Sequence, residues 1–124
     1  MTEIQDKIEE AEQKLETAQL LQDNQKYEDA VSRTYYSMFH AAKAVLILED
    51  SRPKTHAGTA SELGKLFRER IDPELIADFS RLQQLREDAD YEASNYIDEE
   101  TGEDAICSAE KFLNAVKQLV EEHQ

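Results

Sequence analysis

The stretch Tyr27–Leu48 constrains this chain more than any other, because it is the least charged and most apolar part of a very acidic sequence. Apolar groups recur at Tyr27, Val31, Tyr35, Met38, Ala42, Val45 and Leu48, in steps of three and four that repeat on a helical period. A second row, Tyr36, Phe39 and Leu46, widens the stripe. A helix apolar over that much of its circumference must be covered on several sides. The chain therefore has to supply other helices to surround this one.

The remaining segments read as helices with a single apolar face. Ile4, Ile8, Ala11, Leu15 and Ala18 form one stripe, with Leu21 continuing it, which predicts a helix over 2–22, capped by Thr2 and ended at Asp23-Asn24. The central helix should run from near Gln25 to near Glu49, where Asp50-Ser-Arg-Pro53 breaks it. Thr55 is the expected cap of a shorter helix reaching Arg68, with Ala60, Leu63, Leu66 and Phe67 on its apolar side. Asp72-Pro73 places a cap before a proline at the first helical position. Leu75, Phe79, Leu82, Leu85 and Ala89 follow on that fourth helix, which should fray near Ser94-Asn95. A loop is expected over 96–102. A fifth helix should then run from about Glu103 to Glu121, with Ala105, Ala109, Phe112, Val116 and Leu119 inward. No alternating β-branched run signals a strand. The expectation is one all-α domain over 1–124: an antiparallel up-and-down four-helix bundle with one additional short helix.

Charge narrows the range of partners. The net charge is −14, whereas nucleic-acid binding draws on Lys and Arg that neutralise phosphate. No DNA partner is expected, and contact with RNA or a nucleotide needs a local basic spot, a metal or a basic partner. No apolar run approaches the length of a membrane span, so no membrane partner is expected. The N-terminus lacks a basic region followed by an apolar one, and the single Cys107 permits no internal disulfide. Both features suit a cytoplasmic protein.

Metal chemistry has little support in the pattern. His40, His56 and His123 are preceded three residues earlier by Ser37, Pro53 and Val120, so none belongs to a Glu-x-x-His pair. Gly58, Gly64 and Gly102 are isolated and make no phosphate loop. No metal and no cofactor is expected. Two polar groups remain. Arg33, Tyr36 and His40 are spaced to line one face of the central helix, and Arg86 and Asp90 stand one turn apart on the fourth, followed by Tyr91. Each also has a plain structural reading: an ion pair within a helix, aromatic rings in a core, a partly buried imidazole with its hydrogen bonds met.

Three stretches together resemble the HEPN domain family, in its compact free-standing prokaryotic branch often encoded beside a minimal nucleotidyltransferase. They are Ala30-Val-Ser-Arg-Thr-Tyr-Tyr-Ser-Met-Phe-His-Ala-Ala42, Lys54-Thr-His-Ala-Gly58 and Leu85-Arg-Glu-Asp-Ala-Asp-Tyr91. Their order and spacing match across nearly the whole chain. The resemblance implies an antiparallel bundle that pairs as a symmetric homodimer. In active members an arginine, four to six residues and a histidine meet at the dimer cleft and cut RNA without a metal. Arg86 matches that arginine. The position after four intervening residues holds Tyr91, which with an ordinary pKa near 10 is a poor general base. His56 is the imidazole available as a substitute.

Three readings follow. In the favoured one, the chain is a dimeric partner within a toxin–antitoxin-type module, paired with a minimal nucleotidyltransferase that modifies Tyr91 or is regulated by this chain. In another it is an active metal-independent RNA endonuclease toxin, with Arg86 on phosphate and Tyr91 or His56 polarising the 2′-hydroxyl. In the third it is a nucleotide-binding bundle using the same Arg86 cleft. Arg33, Tyr36, His40 and Asp90 are the expected supports of that cleft.

Overall fold

The computed structural model describes residues 2–91 and 97–123, with side chains for 3–90 and 97–123. Within them the chain forms five α-helices and no strand: α1 (Thr2–Asp23), α2 (Tyr27–Ile47), α3 (His56–Phe67), α4 (Pro73–Tyr91) and α5 (Glu99–His123). The four long helices make the bundle and α3 is the short addition. None of these helices is long and apolar enough to cross a membrane.

Helix α2 packs against all four others, as its wide apolar surface requires. Val31, Tyr35, Met38, Ala42 and Val45 are buried, and so are Ala41 and Ala44 between them. The alanines let neighbouring backbones come close. On the α1 side, the Ser37 hydroxyl donates to the Ala11 carbonyl across the interface at 2.7 Å. Around this axis the core gathers Ile4 and Ile8 from α1, Leu63 and Phe67 from α3, Phe79 and Leu82 from α4, and Phe112 and Val116 from α5.

The helix ends follow local chemistry. Thr55 accepts from the Gly58 amide at 2.8 Å, and Asp72 accepts from the Glu74 amide at 2.9 Å, so two exposed N-terminal donors are met. Helices α1 and α2 both end in a tight reversal with a residue in the left-handed region: Gln25 at φ 64° and Asp50 at φ 55°. In each case the amide that follows this residue returns to a carbonyl five residues back: Lys26 to Leu21, and Ser51 to Leu46. This is why α2 begins at Tyr27 rather than near Gln25, and gives way at Leu48 rather than Glu49.

The expected loop over 96–102 is largely overturned, because α5 begins at Glu99. Asp98 accepts from both the amide and the hydroxyl of Thr101, at 2.9 and 2.7 Å, and so starts the helix four residues earlier than expected. In the sequence Gly102 looks like a turn glycine. It is instead a buried helical residue against which the end of the Gln22 side chain rests, and Gln22 Nε2 donates to the Glu99 carbonyl at 2.8 Å. A side chain at 102 would meet Gln22, so this glycine serves close helix approach. The expected fraying at Ser94-Asn95 falls outside the described residues.

Candidate functional site

Tyr35 and Phe39 lie four residues apart on α2, and Tyr36 completes an aromatic edge facing α3 and α4. Tyr35 is fully buried, stacked on Phe79 of α4 at 5.5 Å between ring centroids. Against this edge α4 places Arg86. Its guanidinium carbon lies 5.4 Å from the Tyr35 ring centroid and 5.5 Å from that of Tyr36. Its Nη1 bonds Asp90 one helical turn on, at 2.9 Å. The side chain is only 16% exposed, and Nε is buried with no hydrogen-bond partner among the described residues. A guanidinium held between two ring faces and one carboxylate has little rotamer freedom left to lose when an anion docks on its Nη edge.

Helix α3 brings the imidazole. His56 is its first residue, fixed by the Thr55 cap. The ring stacks on Phe39 at 4.4 Å, nearly parallel at 10°, and stands edge-on to Tyr36 at 6.2 Å. Its Nδ1 forms a hydrogen bond with the Tyr35 hydroxyl. With the proton on Nδ1, the ring donates to Tyr35 and Nε2 is a bare base; with the proton on Nε2, Tyr35 donates instead. No protein group among the described residues meets Nε2.

The electrostatics keep both groups neutral. Burial raises the Tyr35 phenol far above its ordinary value, against the opposing pull of Arg86. Burial lowers the His56 pKa, and Arg86 lowers it further, with Lys43 adding and Glu87 opposing. An imidazole beside a guanidinium is therefore a base at neutral pH rather than a second cation. The linkage has a definite sign. The folded state binds this proton less tightly than the unfolded chain, so the contribution of His56 to stability is present above about pH 6.5 and lost as pH falls through the depressed folded value. The melting temperature of wild type should exceed that of H56Q near neutrality, and the gap should close on acidification. Thermal melts across that range check it; a gap that widens in acid would contradict the burial of a neutral ring. His40, also depressed by burial, is common to both proteins and cancels.

The sequence-derived residues divide accordingly. Arg86, Tyr36 and His56 come together, with Asp90 as the exposed anchor of the arginine. His40 does not join them. Its Nε2 pairs with Glu10 of α1 at 3.1 Å, on another side of α2. Arg33 is exposed and makes no ion pair among the described residues. The expected face of Arg33, Tyr36 and His40 is therefore split. At 3.6 residues per turn the three spread over an arc of about 60°, with Tyr36 at the edge towards α3 and α4, His40 turned to Glu10 of α1, and Arg33 left exposed. Tyr91 closes α4; its side chain lies outside the described residues. Sequence reasoning places Tyr35 and Phe39 only in the core. Their aromatic i, i+4 spacing is visible there, but nothing ties it to His56, 21 residues beyond Tyr35.

Comparison with known proteins decides the family. A model of the HEPN domain matches residues 4–119. The chain belongs to the HEPN family. Two relatives from Methanocaldococcus jannaschii, each bearing the name "Putative toxin", are 38% and 36% identical. The first alignment covers 97% of this chain and 90% of the relative, the second 95% and 82%. The crystal structure of TT1696 from Thermus thermophilus superposes with a TM-score of 0.81, covering 95% of this chain and 98% of that one. At 18% identity that likeness concerns the HEPN fold alone. In this HEPN domain the arginine of Arg-x-x-x-x-Tyr stands next to an imidazole supplied from a different helix.

Proposed function

We propose that this HEPN protein is a toxin-type, metal-independent endoribonuclease acting as a symmetric homodimer. One observation carries the reading: His56, positioned by Tyr35 and Phe39, and Arg86 both pack on the rings of Tyr35 and Tyr36. A nucleophile-activating base held by a third group is the arrangement that base catalysis needs, and His56 supplies the group that the Arg-x-x-x-x-Tyr motif lacks. In the proposed step the 2′-hydroxyl proton passes to His56 Nε2, the O2′–P bond forms and the P–O5′ bond breaks. The 5′ oxygen leaves with a proton returned by the imidazolium that this transfer creates, or with one from water. Arg86 meets the charge on the non-bridging oxygens. The products are a 2′,3′-cyclic phosphate and a 5′-hydroxyl. The names of the two archaeal relatives support the toxin reading.

The net charge of −14 favours a second reading, because the surface as a whole repels RNA. In it the HEPN dimer is the partner of a minimal nucleotidyltransferase, with Tyr91, five residues after Arg86, as the hydroxyl that receives a nucleotide. Incubating purified protein with mixed-sequence RNA in a chelator separates the two. Cleavage to cyclic-phosphate ends is expected, reduced at least about a hundredfold in H56Q, in line with the usual contribution of general-base catalysis. Y91F should retain it. Loss of cleavage in Y91F but not in H56Q would remove His56 from the mechanism. An intact RNA, together with labelled nucleotide transferred to Tyr91 when a nucleotidyltransferase is added, would establish the partner reading. A rise in melting temperature with nucleotide and no cleavage would instead mark a nucleotide-binding bundle.

A further inference from the structure

Among the described residues, several basic side chains gather around one pocket. The first turns of α1, the last turns of α2 and the Ser51–Lys54 connection enclose a pocket of about 330 Å³. Its walls include Lys7, Lys43, Arg52 and Lys54, four of the fourteen basic side chains of the chain. Glu3 is its one acidic wall residue, and Arg52 is bound to Glu3 at 3.2 Å and to Asp50. Lys7, Lys43 and Lys54 make no ion pair among the described residues. Three lysines without an ion pair among the described residues thus line one concavity of a strongly anionic protein. Like charges gathered in a cleft repel each other unless an anion enters, and the low-dielectric walls focus their field outward.

Lys43 links the pocket to the site just described. Lys43 lies in its wall and also sets its Nζ 5.2 Å from the Phe39 ring centroid. Phe39 stacks on His56, and His56 bonds Tyr35, over whose ring Arg86 lies. Lys54 is two residues before His56 in the chain, so the loop that delivers the imidazole also delivers a pocket cation. Lys43 and Lys54 thus join the pocket to the Phe39–His56 side of the site.

We propose that the Lys7–Lys43–Lys54 pocket is a binding subsite for the phosphates of single-stranded RNA flanking the one at Arg86. It supplies the local basic spot that an acidic chain needs in order to hold a polyanion, and it sets the path of the strand past the Phe39–His56 stack. This inference rests on the ribonuclease reading, and deepens it by naming where the strand lies.

The test measures binding of a short fluorescent 2′-O-methyl oligoribonucleotide, which cannot be cleaved at its blocked 2′ position, to the full chain over a range of salt. Each phosphate contact on a single strand adds about 0.7 to the slope of log affinity against log salt. K7E/K54E, which leaves Lys43 against Phe39, should bind at least about tenfold more weakly, with a slope shallower by about 1.4, equivalent to two contacts. K26E/K111E, with the same charge change at exposed positions away from the pocket, should keep the wild-type slope. An unchanged slope in K7E/K54E, or an equal loss in K26E/K111E, overturns the subsite. If wild type cleaves RNA and depends on Arg86 while K7E/K54E binds normally, only the subsite falls. If wild type neither binds the oligonucleotide nor cleaves RNA, the ribonuclease reading falls and the subsite with it.

Discussion

Replacing Arg86 by alanine is expected to lower metal-free RNA cleavage by at least about a hundredfold, the usual consequence of removing one preorganised donor from an anion site. The fold should survive the change. The variant loses two cation–π contacts worth about 0.5–2 kcal/mol and an ion pair on one helix worth a few tenths. It also relieves a buried, unpartnered Nε, whose burial costs about 1–3 kcal/mol. These terms are of similar size and opposite sign, so the net effect on stability should stay within about 1 kcal/mol. R86K separates charge from geometry. Lysine keeps the positive charge but has no planar fork to lie on the Tyr35 and Tyr36 rings while presenting two donors, so it should recover less than about a tenth of the activity. Cleavage rates and thermal melts on the three proteins decide it. Full activity in R86A would reduce Arg86 to an ion-pair partner of Asp90, and full activity in R86K would reduce it to a point charge.

Tyr35 carries two roles that one pair of substitutions can pull apart. Y35A removes the largest fully buried aromatic contact surface of α2, and truncations of this kind cost about 3–5 kcal/mol. For a domain of this size that corresponds to a fall in melting temperature of roughly 10–25 °C. Y35F keeps the ring and its stacking on Phe79, and loses only the hydroxyl that bonds His56 Nδ1. Its stability should fall by about 1–2 kcal/mol, because a part-buried imidazole nitrogen loses its partner. Activity should fall further than that stability change suggests, with kcat reduced and KM little altered, since the substrate contacts persist while His56 is no longer oriented. A Y35F protein with wild-type kcat would show Tyr35 to be a packing residue only. A Y35A protein that melts with wild type would contradict its place in the core.

Most of the fold is legible in the sequence because helical periodicity is a local signal. Ile4, Ile8 and Ala11, or Phe79 and Leu82, announce a buried face within two turns of chain, and caps such as Thr55 and Asp72 announce an end within three residues. The start of α5 misleads for an equally local reason. Glycine and a run of acids between 98 and 102 look like a loop until Gln22, about eighty residues away in the chain, is seen to need the space that Gly102 leaves. The site is legible in part. Motif order points to Arg86 and to His56. The face assigned to Arg33 and His40 fails because spacing along one helix does not say which neighbour covers which side.

Period, caps and composition are properties of the chain read in one direction, and they dictate an all-helical bundle around Tyr27–Leu48 with a heavily acidic surface. They are silent on the meeting of His56, Tyr35 and Arg86, on the turn of His40 to Glu10, and on the pocket that Lys7, Lys43 and Lys54 share. Those residues come from different helices and connections, and their meeting depends on how the helices are rotated about their own axes. That rotation is set by packing across the whole core at once.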